Sequence, residues 1–143
     1  MFQRYTQHAR RSIFFGRFEA SHYGCSHIET QHLLLGLLRA DQALAKKLLS
    51  LHDMEWLRKE VDGHSERREK VSTATDLPLS DESKRALSYG MEEGERLGHK
   101  HIGTEHLLLG LMREEGFYSA QLLRERGLTL ESVRARVQQP DAD

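Results

Sequence analysis

The 143-residue sequence has a single cysteine, Cys25, and only two prolines, Pro78 and Pro140. One cysteine cannot form a disulfide within the chain, so the fold must be held by packing alone. As a nucleophile Cys25 has little support, because the position matching it in the second copy described below holds His99. No stretch approaches the roughly 18 consecutive apolar residues that a membrane span requires. The opening MFQRYTQHARRS lacks the apolar core of a secretory signal, and a cytoplasmic protein without a membrane segment is the expectation. Charge of one sign is also missing. Lys and Arg number 21 against 22 Asp and Glu, for a net charge of -1, so the basic footprint of a nucleic-acid binder is absent. These residues contain no G-x-x-x-x-G-K-[ST] phosphate loop either, and ATP hydrolysis is not expected of them.

What is present is said twice. HIETQHLLLGLLR at residues 27–39 returns as HIGTEHLLLGLMR at residues 101–113, an offset of 74 positions. The match extends backwards through Gly24 with Gly98, Gly16 with Gly90 and Arg11 with Arg85, and forwards through Leu48 with Leu122 and Leu49 with Leu123. Units of roughly 60 residues, present only twice, are too long and too few for a helical-hairpin solenoid.

Each copy reads as helical, being rich in Leu, Ala, Glu, Arg and Gln and poor in Val, Ile and Thr. Thr6 and Ser80 are N-cap candidates for first helices whose apolar stripes run Ile13, Gly16, Ala20, Tyr23 and Leu87, Gly90, Met91, Gly94, Leu97. Gly98 and Gly127 are positioned to end helices. A short leucine-rich helix follows, with Thr30 or Thr104 expected as its cap. It has almost no polar face and should be buried. Its mid-helix glycine, Gly36 or Gly110, costs about 1 kcal/mol relative to Ala, which a close backbone crossing would offset. Two more helices are expected per copy, around Leu44–Leu51 and Met54–Val61 in the first, and around Ser119–Arg126 and Leu130–Val137 in the second. Residues 63–79, GHSERREKVSTATDLPL, break every periodicity and read as a linker. The expected architecture is all-α: two tandem four-helix repeats, residues 1–62 and 80–139, packed about a pseudo-twofold axis as one domain.

The start MFQRYTQHARR, the doubled YGC and LGH turns, the doubled [GE]-T-[EQ]-H-L-L-L-G-L-x-R and the closing RGLTLESVRARV resemble the Clp N-terminal repeat domain of ClpC- and ClpA-type AAA+ unfoldases. That resemblance implies an all-α pair of repeats without catalytic activity of its own. It also implies a module that recruits adaptors or substrate proteins to a Clp ATPase and the ClpP peptidase. A free-standing accessory subunit that docks on the Clp ring or peptidase and modulates its assembly is the alternative. In some ClpC-type members the glutamate of each GTEH motif takes the guanidinium end of a phosphorylated arginine.

Carried over by position, the resemblance makes Thr104 and Glu105, with Ser80, Lys84 and Arg85 from the helix before them, the candidate phosphoarginine or peptide pocket. The first pocket, Glu29, Thr30 and Gln31 with Thr6 and Arg10, looks degenerate, because Gln31 replaces the acid. Loss of one charge-assisted hydrogen bond weakens binding by about 1.5–3 kcal/mol. Glu29 also replaces a glycine, which suggests a turn of different shape. Asp81 and Glu82, at the start of the helix opened by Ser80, count against phosphate in the second pocket. No metal or other cofactor is expected: the nine histidines lack ligand spacing, and His32 and His106, at matching helical positions, are expected to pack or hydrogen-bond near the axis. Phe14, Phe18, Phe117 and Tyr118 are surplus aromatics, read first as core and otherwise as a partner surface.

Overall fold

A computed structural model of the chain describes residues 2–65, 69 and 76–138. Among these are eight helices: α1 (Gln7–His22), α2 (Thr30–Ala40), α3 (Gln42–Leu48), α4 (Leu51–His64), α5 (Asp81–Arg96), α6 (Thr104–Met112), α7 (Tyr118–Glu125) and α8 (Leu130–Gln138). The all-α reading holds. Thr6 and Ser80 cap α1 and α5, their hydroxyls accepting from the Ala9 and Ser83 N–H. Gly24, Gly98 and Gly127 follow α1, α5 and α7 with φ of 69°, 72° and 83°, the left-handed conformation that only glycine adopts without strain.

Two element boundaries differ from expectation. Ser50 caps α4, with Asp53 bonding back to the Ser50 N–H, and this reciprocal pair starts the helix at Leu51. At its other end α4 runs through Gly63 and His64, into what reads as linker. Residues 66–68 and 70–75 of that linker, and Pro140, lie outside the described residues.

The leucine-rich helices are the core. Leu33, Leu34, Leu37 and Leu38 of α2 and Leu107, Leu108, Leu109 and Leu111 of α6 are all buried, each contributing about 1.5–3 kcal/mol of apolar transfer free energy. The mid-helix glycines sit where backbones cross. A Cβ on Gly36 would collide with the Gly16 backbone and the Ser12 carbonyl of α1; one on Gly110 would collide with the Ala86 carbonyl and lie 2.7 Å from the Gly90 nitrogen of α5. Each repeat is therefore built on a glycine-to-glycine helix crossing.

Matching glutamates lock each crossing to the fourth helix. Glu19 is buried on α1, and both its oxygens accept from Arg58 of α4 at 2.5 and 3.1 Å. Glu93 is its counterpart on α5, held by Arg134 of α8 at 2.8 Å through both oxygens and joined by Arg113 at 3.1 Å and Arg96 at 3.4 Å. Burial raises the Glu93 pKa, but the arginines outweigh it and leave the carboxyl below its ordinary value.

The repeats are tied by two extended segments. Thr6 N–H donates to the Ile102 carbonyl at 2.9 Å and Ile102 N–H to the Arg4 carbonyl at 2.9 Å; Ile28 N–H donates to Pro78 at 2.8 Å and Ser80 N–H to Ile28 at 3.0 Å. Each forms an isolated parallel bridge, Tyr5 with Ile102 and Ile28 with Leu79.

Candidate functional site

Those bridges decide which residues share a site. The residues ahead of α1 lie beside the start of α6, and the residues ahead of α5 lie beside the start of α2. The expected grouping is thus crossed. Ser80 cannot join Glu105, because the start of α6 packs on the far end of α5. A Cβ on Gly94 would lie 2.6 Å from the Ile102 side chain and 3.6 Å from the His106 ring. Fourteen residues of helix at 1.5 Å each put Ser80 about 20 Å away.

Around the start of α6, Glu105 is the second helical residue. Its carboxylate folds back over Gly103, filling the space that a Cβ there would need. Oε1 lies 3.4 Å from His106 Nδ1, but that nitrogen already accepts the Gly103 N–H at 2.9 Å and so carries no proton. His106 Nε2–H then points at His99 Nδ1, 2.9 Å away. Burial first, and His99 second, lower the His106 pKa against the opposing Glu105 charge. His106 is therefore neutral near pH 7, and Glu105 is an acid without a cationic partner among the described residues. Arg4 completes this edge, donating to the Lys100 and His99 carbonyls at 3.0 and 3.2 Å and to Glu95 at 3.2 Å.

The start of α2 has the same backbone and different side chains. Glu29 N–H donates to His32 Nδ1 at 2.9 Å, and His32 Nε2 lies 3.7 Å from the Cys25 thiol. Burial drives the His32 pKa down to about 4, with Glu19 opposing and His64 assisting. Glu29 has φ -92° and Gly103 φ -100°. Neither is in the left-handed region, so the expected change of turn shape does not occur. Gln31 is 8% exposed.

Thr30 and Thr104 are the first helical residues, and Glu29 and Gly103 hold the cap positions. The threonine hydroxyls instead join the repeats: Thr104 Oγ1 donates to Asp41 at 2.6 Å, and Thr30 Oγ1 accepts the Ser119 N–H at 3.4 Å. His32 and His106 satisfy the cap amides in their place.

Of the remaining candidates, Arg85 is engaged by Glu114 at 2.7 Å and lies over the Phe117 ring. Lys84 lines a cavity with Tyr5, Leu79, Leu87, Ser88 and Met91. Arg10 donates to the Gln3 carbonyl and lines a groove with Phe2, Ile13, Phe14 and Leu77–Leu79. Phe14 and Phe18 are exposed, at 56% and 41%, whereas Phe117 is 1% exposed and belongs to the core. Tyr118 is half-buried, stacked on His64 with ring centroids 4.0 Å apart. Phe117 therefore offers no free surface, and Tyr118 only part of one. Sequence reasoning missed Arg4, Asp41 and the buried glutamates. For Glu19 and Glu93 a signal existed, an acid at the same place in both copies on an otherwise apolar stripe.

No group of three or more metal-ligating side chains converges among the described residues, and no described helix is long and apolar enough to cross a membrane.

A family model described as the Clp repeat (R) N-terminal domain matches residues 4–139. The chain is 34% identical over 141 residues to the negative regulator of genetic competence ClpC/MecB of Bacillus subtilis, covering 97% of this chain and 17% of that protein. It is 33% identical over 144 residues to the chaperone protein ClpB of Oceanobacillus iheyensis, covering 97% of this chain and 17% of that protein. Its fold is similar to the crystal structure of the N-terminal domain of the caseinolytic protease associated chaperone ClpD from Arabidopsis thaliana, with TM-score 0.74 and 24% identity over 95% of this chain and 93% of that one. The chain thus spans about a sixth of the length of these curated relatives. With a doubled helical unit, glycine crossings and a family match over nearly every residue, the chain belongs to the Clp repeat N-terminal domain family.

Proposed function

We propose that this domain is a non-catalytic receptor that captures adaptor or substrate proteins for a Clp unfoldase and its peptidase in the cytoplasm. The observation that carries the reading is Glu105, a carboxylate with 38% side-chain exposure and no cationic partner among the described residues, at the edge where the starts of α1 and α6 meet. A planar guanidinium is the natural partner of such an acid. The helix N-termini beside it and the Thr6 hydroxyl favour a phosphate on the same ligand. A phosphoarginine side chain carries both groups. Because the repeats cross, Thr6 and Arg4 take the part assigned by sequence to Ser80, Lys84 and Arg85, and the acids Asp81 and Glu82 lie at the other site.

Calorimetric titration with phosphoarginine should give one site per chain, abolished by Glu105→Ala. Two equal sites, or binding that survives this substitution, would overturn the reading. Stoichiometric co-elution with ClpP and no ligand binding would favour the accessory role instead.

A further inference from the structure

A groove of about 620 Å³ runs between α2, α3 and α4 of copy one. Leu35, Leu38, Ala45 and Leu49 form its buried floor, and Leu51 and Met54 line one side. Leu51 is 79% exposed; with Phe14 and Phe18 it makes up the exposed large apolar side chains of the described residues, all of them in copy one. The charged groups among the described lining residues are cations: Arg39, Lys46 and Arg58. Arg58 is engaged by Glu19, whereas Arg39 and Lys46 have no carboxylate partner among the described residues. The 74-residue offset gives the reason for Arg39. Its counterpart Arg113 is held by Glu92 at 3.2 Å and Glu93 at 3.1 Å and lies over the Tyr89 ring. In copy one Phe18 stands at the position of Glu92, and Glu19, at that of Glu93, faces Arg58. Arg39 is left over the rings of Phe15 and Phe18, at 4.3 and 5.3 Å, without a carboxylate.

We propose that this groove docks an acidic amphipathic helix of a partner protein, its apolar face over Leu51, Met54 and Phe18 and its carboxylates on Arg39 and Lys46. A partner carboxylate thereby takes in copy one the place that Glu92 holds in copy two. The occupant is anionic because two cations at the groove await a counter-charge, and a guanidinium lying over aromatic rings keeps its N–H donors for a carboxylate. It is helical because three helices wall the groove. Their backbone groups are bonded internally, so an extended segment would find no strand edge to pair with, whereas a helix satisfies its own backbone. Covering Leu51 and Phe18 supplies the apolar contact, and the two charge pairs set the orientation. The proposal rests on the reading of the domain as a receptor for other proteins but makes no use of Glu105.

The test is an amide-detected NMR titration of the full chain with an acetylated peptide of about 14 residues that carries Leu on one helical face and Glu beside it. Its Lys-for-Glu counterpart and phosphatidylglycerol vesicles are the comparisons. The Glu peptide should shift Lys46, Leu51 and Met54 saturably, and the Lys peptide should bind at least tenfold more weakly. Arg39→Glu and Lys46→Glu should each weaken the Glu peptide roughly tenfold or more with unchanged circular dichroism. Phe18→Glu, which gives Arg39 the partner that Glu92 gives Arg113, should weaken it more than Phe18→Gln does, and Glu105→Ala should leave it unaltered. Absence of saturable shifts, equal binding of the two peptides, equal effects of Phe18→Glu and Phe18→Gln, or loss in Glu105→Ala would each overturn the assignment. Binding of vesicles without the peptide would give the groove to a lipid surface, and a dimer broken by Arg39→Glu would give it to a second copy; either result also overturns it. Phosphoarginine binding at Glu105, present or absent, does not bear on the outcome.

Discussion

The starts of α2 and α6 share a backbone and differ in what they offer a ligand. Both have an extended cap residue, and in both that residue's N–H is received at 2.9 Å by the histidine three positions on. In α6 the acid is Glu105, resting in space left by Gly103; in α2 it is Glu29, and Gln31 takes the buried place. The histidine bond therefore belongs to the scaffold, and the position of the acid is what varies between the copies. Duplicated units can exchange the second without disturbing the first, because the histidine receives the cap residue's N–H in both copies.

The largest test of how the copies differ concerns their surplus aromatics. Phe117 is buried in copy two, and Phe117→Ala should cost about 3–5 kcal/mol in denaturant unfolding. Phe14, exposed in copy one, should cost less than about 0.5 kcal/mol when changed to Ala. Equal losses would mean that Phe14 is covered in solution.

Those two residues also show how far the sequence could be read. The 74-residue offset, the caps at Thr6 and Ser80 and the close crossings at Gly36 and Gly110 follow from local patterns, and each is found where it was expected. Whether an aromatic faces solvent is not local. Phe117 precedes a short helix whose orientation is fixed by Ser119, bonded to the Leu111 carbonyl and to Thr30. The composition of the sites was hidden for a similar reason. An alignment of the copies pairs Thr6 with Ser80 but cannot say that each lies beside the other copy's leucine-rich helix, which is a consequence of bridges between residues about 50 and 100 positions apart.

The shared histidine bond gives the next test. Above pH 6.5 His32 is neutral in both the folded and the unfolded chain. Below it the unfolded chain takes up a proton, while the folded one resists until about pH 4, since protonated Nδ1 would face the Glu29 N–H. Stability should fall by about 3 kcal/mol between pH 6.5 and 4 from His32 alone, with His106 adding to the same slope. Urea unfolding across this range checks it. His32→Asn, whose carbonyl can receive the Glu29 N–H, should remove the His32 share; an unchanged slope would show that the acid sensitivity lies elsewhere.

The smallest effect separates the copies most finely. Among the described residues Glu19 has one arginine, whereas Glu93 has three. Arg58→Ala leaves Glu19 buried without a cation, and removing one partner of a buried pair costs up to about 3–5 kcal/mol. Arg58 is itself 45% exposed, so water screens the pair and the loss should be nearer 2 kcal/mol. Arg134→Ala leaves Glu93 with Arg96 and Arg113, and about 1 kcal/mol should be lost. Unfolding both variants at pH 7 measures the difference. Should Arg134→Ala prove the costlier, the bidentate geometry at Glu93 would outweigh the number of cations around it, and Arg96 and Arg113 there would be passive. If Arg58→Ala is costlier, copy one depends on a single α1–α4 tie. The α4 helix of copy one would then loosen from α1 in Arg58→Ala, while Glu93 keeps Arg96 and Arg113 in Arg134→Ala.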